Sequence, residues 1–220
     1  MNDARTDGND KPWFDRLAHD LRGPLTSLQT AAYLLRTDPG GANARELADI
    51  VVRQSQRMGR MIEELDDWGR AQQRRLVDRG ERVELDATLD MAIASQHGCT
   101  VDPTYAPDAR DLVVLGDSAR LAQLFRTLLQ HAIARDADNV RVAVSRRGTH
   151  VEVAFCDDGP ALDAAQRAQL LQAPQVHSSD EGLGLRLLIA KAIAEGHAGA
   201  LDIAQEHESL CIRCTLPIAE

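Results

Sequence analysis

An apolar stripe of helical period constrains the start of the chain more than any other feature. With about 100° per residue and Leu21 as the reference, the apolar side chains of this region fall within about 60° of one direction. Pro24 lies inside the pattern, where a proline costs a backbone hydrogen bond and needs a structural reason. The spacing therefore predicts one amphipathic helix, and its stripe comprises Phe14, Leu17, Ala18, Leu21, Leu25, Leu28, Ala32 and Leu35.

A second helix is predicted after the Asp-Pro-Gly-Gly breaker at residues 38–41. Two antiparallel helices that each carry a wide apolar stripe cannot bury both stripes in one hairpin. We therefore expect residues 12–72 to form a homodimer, a four-helix bundle built from two hairpins. The alternative is a hairpin that docks on the rest of its own chain. The stripe of the second helix comprises Leu47, Val51, Met58, Met61, Leu65 and Trp68, with Gln54 as a polar exception.

His19 lies about 160° from Leu21 on the first helix, which predicts an imidazole that faces solvent. The neighbouring Asp20 can keep one ring nitrogen protonated and leave the other free to attack a phosphoryl group. The alternative is an ordinary surface histidine. The cost of Pro24 within the helix and a nucleotide-site pattern later in the chain favour the phosphate acceptor.

Composition excludes some functions. The chain has 220 residues and a net charge of -9 without a compensating basic stripe, so neither nucleic acid nor an anionic membrane surface is expected as its main partner. It contains neither an apolar run near 18 residues nor a signal-peptide pattern, so we expect no membrane segment and a cytoplasmic location. Residues 1–11 are polar and are expected to be disordered.

A second domain is predicted from residue 83 to residue 220, after a polar, arginine-rich linker at 73–82. Asp86 is expected to cap its first helix. Strands and helices are mixed without strict alternation, which predicts an α+β two-layer sandwich with helices on one face of a mostly antiparallel sheet. The predicted strands are 113–115, 140–144, 151–155 and 210–216, and the predicted helices are 118–135, 163–172 and 183–196.

The four cysteines are expected to be reduced. Cys211 and Cys214 are three residues apart on a predicted strand and so point to opposite faces, which suits neither a shared metal nor a disulfide. Cys99 and Cys156 lie far away in the sequence. All four are therefore interpreted as structural residues.

Three segments of the second domain carry possible chemistry. Asp157 follows a strand and precedes Gly159, so a carboxylate is placed beside a turn that lets backbone approach a ligand closely. A Gly-Leu-Gly-Leu stretch at 182–185 opens a helix, and amides at a helix start bind phosphate. Thr127 and His131 are four residues apart on one helix face. Each signal is also compatible with an everyday turn, an ordinary helix start or a histidine in the core.

In this order, the segments resemble the sensor histidine kinases of two-component signalling, from about residue 13 to residue 217. The first domain resembles the dimerisation and histidine-phosphotransfer hairpin, with His19 as the phosphorylated histidine and Asp20 as its neighbouring acid. The resemblance implies autophosphorylation from ATP with Mg²⁺, followed by transfer to an aspartate of a response-regulator receiver domain.

The second domain resembles the ATP-binding domain of the gyrase, Hsp90, histidine kinase and MutL superfamily. The resemblance implies that Asp157 binds the adenine amino group and that Gly159 belongs to the same box. It also implies that Gly182 and Gly184 form the second glycine box, at the end of the ATP lid. Residues 116–132 resemble the leader into the asparagine box, and residues 195–199 resemble the turn after the last helix.

The chain departs from this family at the asparagine box. Thr127 and His131 stand where the family has two asparagines, the second of which binds magnesium. Magnesium prefers oxygen ligands, whereas imidazole suits zinc, copper, nickel or iron. His131 is therefore expected to bind magnesium weakly or through water, unless another oxygen ligand replaces it.

Further departures affect the glycine turn, the phosphatase reaction and the lid. Ala161 replaces the second glycine of the aspartate box. Gly23 stands where the family commonly has a threonine or asparagine that holds the hydrolytic water, and without a side chain it cannot hold that water, which leaves phosphatase activity an open question. The lid, at residues 171–181, is short.

Two hypotheses remain open at the level of sequence. In the first, the chain is a histidine kinase that phosphorylates His19 from ATP. In the second, it is a phosphorelay phosphotransferase or pseudokinase whose degenerate ATP-binding domain serves only for docking or dimer support. The retained Asp157, Gly159, Gly182 and Gly184 favour the kinase, and the lost asparagines favour the alternative.

Overall fold

The computed structural model describes residues 11–77, 80–96, 101–135, 139–175, 182–207 and 209–219, with side chains from Leu17 onward. Residues 1–10, part of the segment predicted to be disordered, lie outside the described residues. So do Cys99, which was predicted to be reduced, and most of the lid. The elements are α1 Lys11–Thr37, α2 Ala44–Gln72, β1 Glu81–Glu84, α3 Leu85–Ala94, β2 Thr104–Tyr105, β3 Val113–Gly116, α4 Ser118–Ile133, β4 Val140–Arg147, β5 His150–Asp157, α5 Ala164–Leu170, α6 Arg186–Gly196, β6 Ala200–Glu206 and β7 Ser209–Pro217.

Helix α1 continues through Pro24 without interruption, as predicted. Pro24 and Ala31 are its buried side chains, and the leucines at 17, 21, 28 and 35 are half-buried. Ala18, Leu25 and Ala32 are exposed, so within one chain the covered stripe is narrower than the predicted one. The side chain of Phe14 lies outside the described residues.

Helix α2 carries its stripe at the predicted positions. Met61 is fully buried, and Leu47, Val51, Gln54, Met58, Leu65 and Trp68 are half-buried. Glu64 is also buried, with 7% of its surface exposed. The turn between the two helices is closed by backbone hydrogen bonds from Gly41 N to Asp38 O and from Ala44 N to Gly41 O.

The second part of the chain forms a five-stranded sheet of order β2-β4-β5-β7-β6 and a two-stranded sheet of β1 with β3. Only β2 and β4 run parallel among the described pairs of the larger sheet, which confirms the mostly antiparallel prediction. The predicted strands are present, and β1, β2 and β6 were missed. Strand β2 has two residues and β1 has four, too few for a periodic signal.

Helices α4 and α6 cover one face of the larger sheet. The ring centroids of Phe125 on α4 and Phe155 on β5 lie 6.1 Å apart, and neither side chain exceeds 1% exposure. The side chains of β7 that were predicted to face inward are all buried: Leu210, Ile212, Cys214 and Leu216. The observed α+β sandwich therefore confirms the predicted fold class of the second domain.

Two expectations were wrong. Asp86 does not cap α3, because the helix begins at Leu85 after Glu84, and the Asp86 carboxylate instead accepts a hydrogen bond from Asp111 N at 3.2 Å. The cysteines are not all reduced, because Cys156 and Cys211 form a disulfide. They are directly opposite in the β5–β7 register, a proximity that sequence distance conceals. Cys214 is free and buried.

The described residues divide into two compact units. One contains the hairpin up to Asp66 together with Gly182 and Leu183, and the other contains the remaining described residues from Asp67 onward. Within the part of the chain that the structure describes, no helix is both long enough and apolar enough to cross a bilayer.

Phe125→Ala tests whether the α4–sheet contact stabilises the second unit. Removing a fully buried phenylalanine leaves a cavity, so we expect the free energy of unfolding to fall by about 3–5 kcal/mol. Arg126→Ala, a change at the exposed neighbour on the same helix, should change it by about 0.5 kcal/mol or less. Urea unfolding followed by circular dichroism measures both. Equal losses would contradict the packing described.

Candidate functional site

His19 projects from α1 with an exposed side chain, and Asp20 beside it is half-buried. This confirms the solvent-facing imidazole that the helical period predicts. One turn further on, a Cβ placed on Gly23 would meet no atom within 4 Å. The space beside His19 therefore accepts a side chain at position 23, and the glycine there is not required by packing.

Asp157 ends strand β5 and points its carboxylate into the interior, with 2% exposure. Its Oδ1 accepts a hydrogen bond from Gly159 N at 3.0 Å and another from Arg135 Nε at 2.8 Å. Arg135 is also buried, at 9% exposure, just beyond the end of α4. A buried carboxylate is stable only when it is paired, and the guanidinium supplies the pair here.

The turn after Asp157 is held close to the end of α4. A Cβ on Gly159 would lie 2.4 Å from the Arg135 carbonyl oxygen, so only glycine fits. Arg135 Nη2 donates to the Pro160 carbonyl, and the Asp158 carboxylate accepts two hydrogen bonds from Asn139, at 2.9 and 2.7 Å. Helix, strand end and turn therefore form one hydrogen-bonded unit around a buried carboxylate.

The second glycine stretch requires a special backbone at one position. Gly184 has φ +75, and a Cβ there would lie 1.9 Å from the Gln175 carbonyl oxygen. Gln175 N also donates to Gly184 O at 2.8 Å, which ties the two ends of the lid segment together directly before α6. Glycine at 184 is therefore needed for the turn itself, whether or not a phosphate binds there.

Thr127 and His131 lie on α4, both half-buried, on the helix that leads to Arg135. They offer a hydroxyl and an imidazole at the positions where the resemblance predicts two amides. The helix start is fixed by Asp117, whose side chain accepts hydrogen bonds from Ala119 N and Arg120 N. Asp117 N in turn donates to His197 Nε2 at 2.9 Å. His197 thus joins the predicted leader at 116–132 to the predicted turn at 195–199.

The predicted site residues are brought together only in part. Asp157 and Gly159 are in direct contact, and Thr127 and His131 share a helix with Arg135. Gly184 belongs to the same compact unit as these residues, whereas His19, Asp20 and Gly182 belong to the other. The roles of all these residues in binding or catalysis stay predictions.

Sequence reasoning missed Glu64 and Arg135. Glu64 Oε2 accepts a hydrogen bond from Leu183 N at 2.8 Å, within the glycine stretch predicted to hold phosphate. The available signal was a carboxylate at a stripe position of α2, three residues after Met61. Arg135 gave no signal, because a basic residue after a helix end is ordinary.

Among the described residues, one group has the spacing of a metal site: Cys156, Glu206 and Cys211, with ligand atoms within 4.8 Å of one another. The two sulfurs are joined in the disulfide, so this group offers a metal only the Glu206 carboxylate in the state seen here. His131 belongs to no such group within the described residues.

Two family models match the chain. The His Kinase A (phospho-acceptor) domain matches residues 13–74, and the histidine kinase-, DNA gyrase B- and HSP90-like ATPase domain matches residues 116–220. The first range contains His19, and the second contains Asp157 and both glycine stretches. The chain belongs to the histidine kinases of two-component systems. This confirms the family assignment made from the motifs.

Curated relatives agree with this assignment. The chain is 26% identical over 210 residues to the sensor histidine kinase ZraS of Escherichia coli K12, covering 92% of this chain and 44% of that protein. It is 29% identical over 220 residues to a bacteriophytochrome of Pseudomonas aeruginosa, covering 93% of this chain and 29% of that protein. The chain therefore spans less than half the length of either relative.

Solved structures share the fold. The histidine kinase AdeS of Acinetobacter baumannii superposes with a TM-score of 0.69 at 17% identity, over 92% of this chain and 98% of that one. The histidine kinase ThkA, in a complex with the response regulator protein TrrA, gives 0.72 at 18% identity, over 96% of this chain and 62% of that one. These likenesses confirm a helical hairpin followed by an α/β sandwich.

Glu64→Ala tests whether this carboxylate competes with phosphate for the Leu183 amide. Its removal frees the N–H and takes a negative charge away from the glycine stretch, so we expect affinity for a non-hydrolysable ATP analogue to rise by about tenfold. Glu63→Ala makes the same charge change at an exposed neighbour and should have little effect. Calorimetry measures both variants, and a loss of affinity in Glu64→Ala alone would contradict the competition.

Proposed function

We propose that this chain is the kinase portion of a two-component sensor: it phosphorylates His19 from ATP and passes the phosphoryl group to an aspartate of a response-regulator receiver. The observation that carries the proposal is an exposed histidine on the helix of a phospho-acceptor domain, in one chain with a buried strand-end carboxylate in an ATPase domain. The proposal is also supported by the name of a curated relative, the sensor histidine kinase ZraS.

His19 is the proposed nucleophile. Its free ring nitrogen attacks the γ-phosphorus, and the new N–P bond forms as the bond to the β,γ-bridging oxygen breaks. Asp20 holds the other ring nitrogen protonated and stabilises the positive charge that develops on the imidazole. Transfer to a receiver carboxylate then regenerates His19. Exposure of the imidazole suits both steps, since each requires approach of a separate reactant.

Asp157 is the proposed acceptor for the adenine amino group. The residues present fit a purine, because a buried carboxylate stands beside a glycine turn at which a Cβ would collide with backbone. Arg135 Nε and Gly159 N both donate to Oδ1 of the carboxylate and orient it toward the turn. ATP supplies the phosphoryl group. The backbone amides near Gly182 and Gly184 are proposed to donate hydrogen bonds to its phosphates.

Magnesium fits less well than ATP. Octahedral oxygen coordination is its preference, whereas this chain places an imidazole at 131 and a hydroxyl at 127. We therefore assign no step to magnesium.

A second copy of the chain is the proposed partner of the hairpin. One chain leaves large apolar side chains exposed by 40% to 58% on α1 and α2, and a four-helix bundle would cover them. They are Leu25, Tyr33, Leu34, Val52 and Ile62. A receiver domain is the other proposed partner, as in the ThkA complex, and the cytoplasmic location stays a prediction.

A phosphorelay phosphotransferase or pseudokinase is the second candidate function. Two observations favour it: Arg135 occupies one oxygen of Asp157, and Glu64 occupies the Leu183 amide. The resemblance adds a third reason, since it implies that His131 stands in the position of the metal-binding asparagine. In that case phosphate would reach His19 only from a phosphorylated receiver. Labelling experiments separate the two functions.

His19→Gln should abolish acid-labile label from γ-labelled ATP, because no other group is proposed as acceptor. Nucleotide affinity and thermal stability should stay unchanged, since the side chain is exposed. His150→Gln, at a histidine of the sheet, is the matched control and should keep its label. Label that persists in His19→Gln would remove His19 from the mechanism.

His131→Asn should raise magnesium-dependent labelling of His19, because an amide oxygen replaces a nitrogen ligand. Gln130→Asn, at the exposed neighbour on α4, is the control and should leave the rate unchanged. Initial labelling rates over a series of magnesium concentrations measure the effect. A His131→Asn protein that is stable and never labels His19 would favour the phosphotransferase.

A further inference from the structure

The disulfide lies on the outer face of the sheet, away from the apolar core. Alternation along β5 and β7 directs Phe155, Asp157 and Ile212 toward the helices, and Cys156 and Cys211 to the opposite face. Outer-face neighbours such as Arg141 and Glu206 are exposed. Breaking the bond therefore leaves the packing between sheet and helices intact.

The two cysteines are kept together by the strands and not only by the bond. Strands β5 and β7 pair continuously from His150↔Pro217 to Asp157↔Leu210, with Cys156 directly opposite Cys211 and their Cα atoms 4.1 Å apart. Such a ladder survives loss of one covalent link. The thiols would therefore stay in position to form the bond again.

Charged groups of both signs lie near the pair, since a Glu206 carboxylate oxygen is within 4.8 Å of both sulfurs. Arg141 is opposite Cys156 in the β4–β5 register, and its Nη2 donates to Ser209 Oγ at 3.1 Å, on the strand that carries Cys211. Arg213 lies on the same face as Cys211 and pairs with Glu206. A lone carboxylate there would disfavour the thiolate, which is the reactive form in disulfide exchange, and the guanidinium of Arg213 offsets its charge.

We propose that Cys156 and Cys211 form a reversible dithiol–disulfide site, exchanged by small dithiols in the folded protein, and that its redox state controls the mobility of the Asp157 turn. Cys156 directly precedes Asp157, so the disulfide ties β5 to β7 at the last residue before the buried carboxylate. Once the link is broken, the strand end loses its one covalent restraint and is held beside Gly159 by backbone pairing and by hydrogen bonds to Arg135 and Asn139.

The exchange balances with one dithiol. A reductant thiolate attacks Cys156 Sγ, the more accessible sulfur at 8% residue exposure against 0% for Cys211. The protein S–S bond breaks, and Cys211 leaves as a thiolate that takes a proton from water. The second reductant thiol then displaces Cys156, so two electrons reach the protein and the reductant becomes a cyclic disulfide.

Cys214 provides an internal control. It lies on the same strand but on the core face, and burial raises the pKa of its thiol to about 12. It should therefore resist alkylation in the folded protein in either redox state.

The test combines alkylation with hydrogen exchange, in a Cys99→Ser background. After incubation with reduced or oxidised dithiothreitol, iodoacetamide and mass spectrometry should show an added group on Cys156, the more exposed of the two cysteines, only after reduction. Circular dichroism should be unchanged, and amide exchange in residues 156–159 should rise by about threefold or more in the reduced protein. Cys156→Ser should lose this redox dependence, and Cys214→Ser should keep it.

Several results would overturn the proposal. One is reduction that requires denaturant, and another is alkylation of Cys156 after treatment with the oxidant. Equal exchange at residues 156–159 in both redox states is a third. None of these readouts uses nucleotide, so the outcome is independent of the proposed kinase activity.

Discussion

The antiparallel pairing of β5 with β4 and β7 is the constraint on which the second domain depends. All eight residues of β5 are in register with both neighbours, so alternation assigns every side chain of this strand to one face. The inner face packs Phe155 against Phe125 of α4, and the outer face holds Cys156 against Cys211. At the strand's end the same alternation turns Asp157 inward. Core, disulfide and candidate base acceptor thus follow from one register.

The cost of burying Asp157 explains the arrangement around it. An isolated carboxylate with 2% exposure would be strongly destabilising, and Arg135 and the Gly159 amide compensate it. Both hydrogen bonds are accepted by Oδ1, which belongs to the carboxylate that a purine amino group would contact. In the second glycine stretch, the Leu183 amide likewise has a protein partner, because it donates a hydrogen bond to the Glu64 carboxylate. The Asp157 carboxylate and the Leu183 amide, both proposed to bind nucleotide, therefore already have protein partners in this structure.

Sequence patterns predicted the features that depend on local periodicity or on short motifs. The long helices, strands β3, β4, β5 and β7, the inward residues of β7 and the exposed His19 follow from spacing alone. What they could not predict depends on residues that meet only after folding. Cys156 and Cys211 are 55 residues apart, and Glu64 and Leu183 are 119 apart. Cys211 and Cys214 were correctly assigned to opposite faces, but the partner of Cys211 required the strand order. Asp86 does not act as a cap because α3 begins at Leu85, which places Asp86 inside the first turn of the helix.

Calorimetry of nucleotide binding tests the central claim, that the Asp157 carboxylate receives the base, most directly. Asp157→Asn alone would leave Arg135 buried without its charge partner, so the informative protein is the double variant Asp157→Asn/Arg135→Leu, with its fold checked by thermal unfolding. Titrated with a non-hydrolysable ATP analogue, the native protein should bind. The double variant should bind more weakly by about 1.5–3 kcal/mol, the scale of a hydrogen bond to a charged group. Equal affinity in the two proteins would contradict the account.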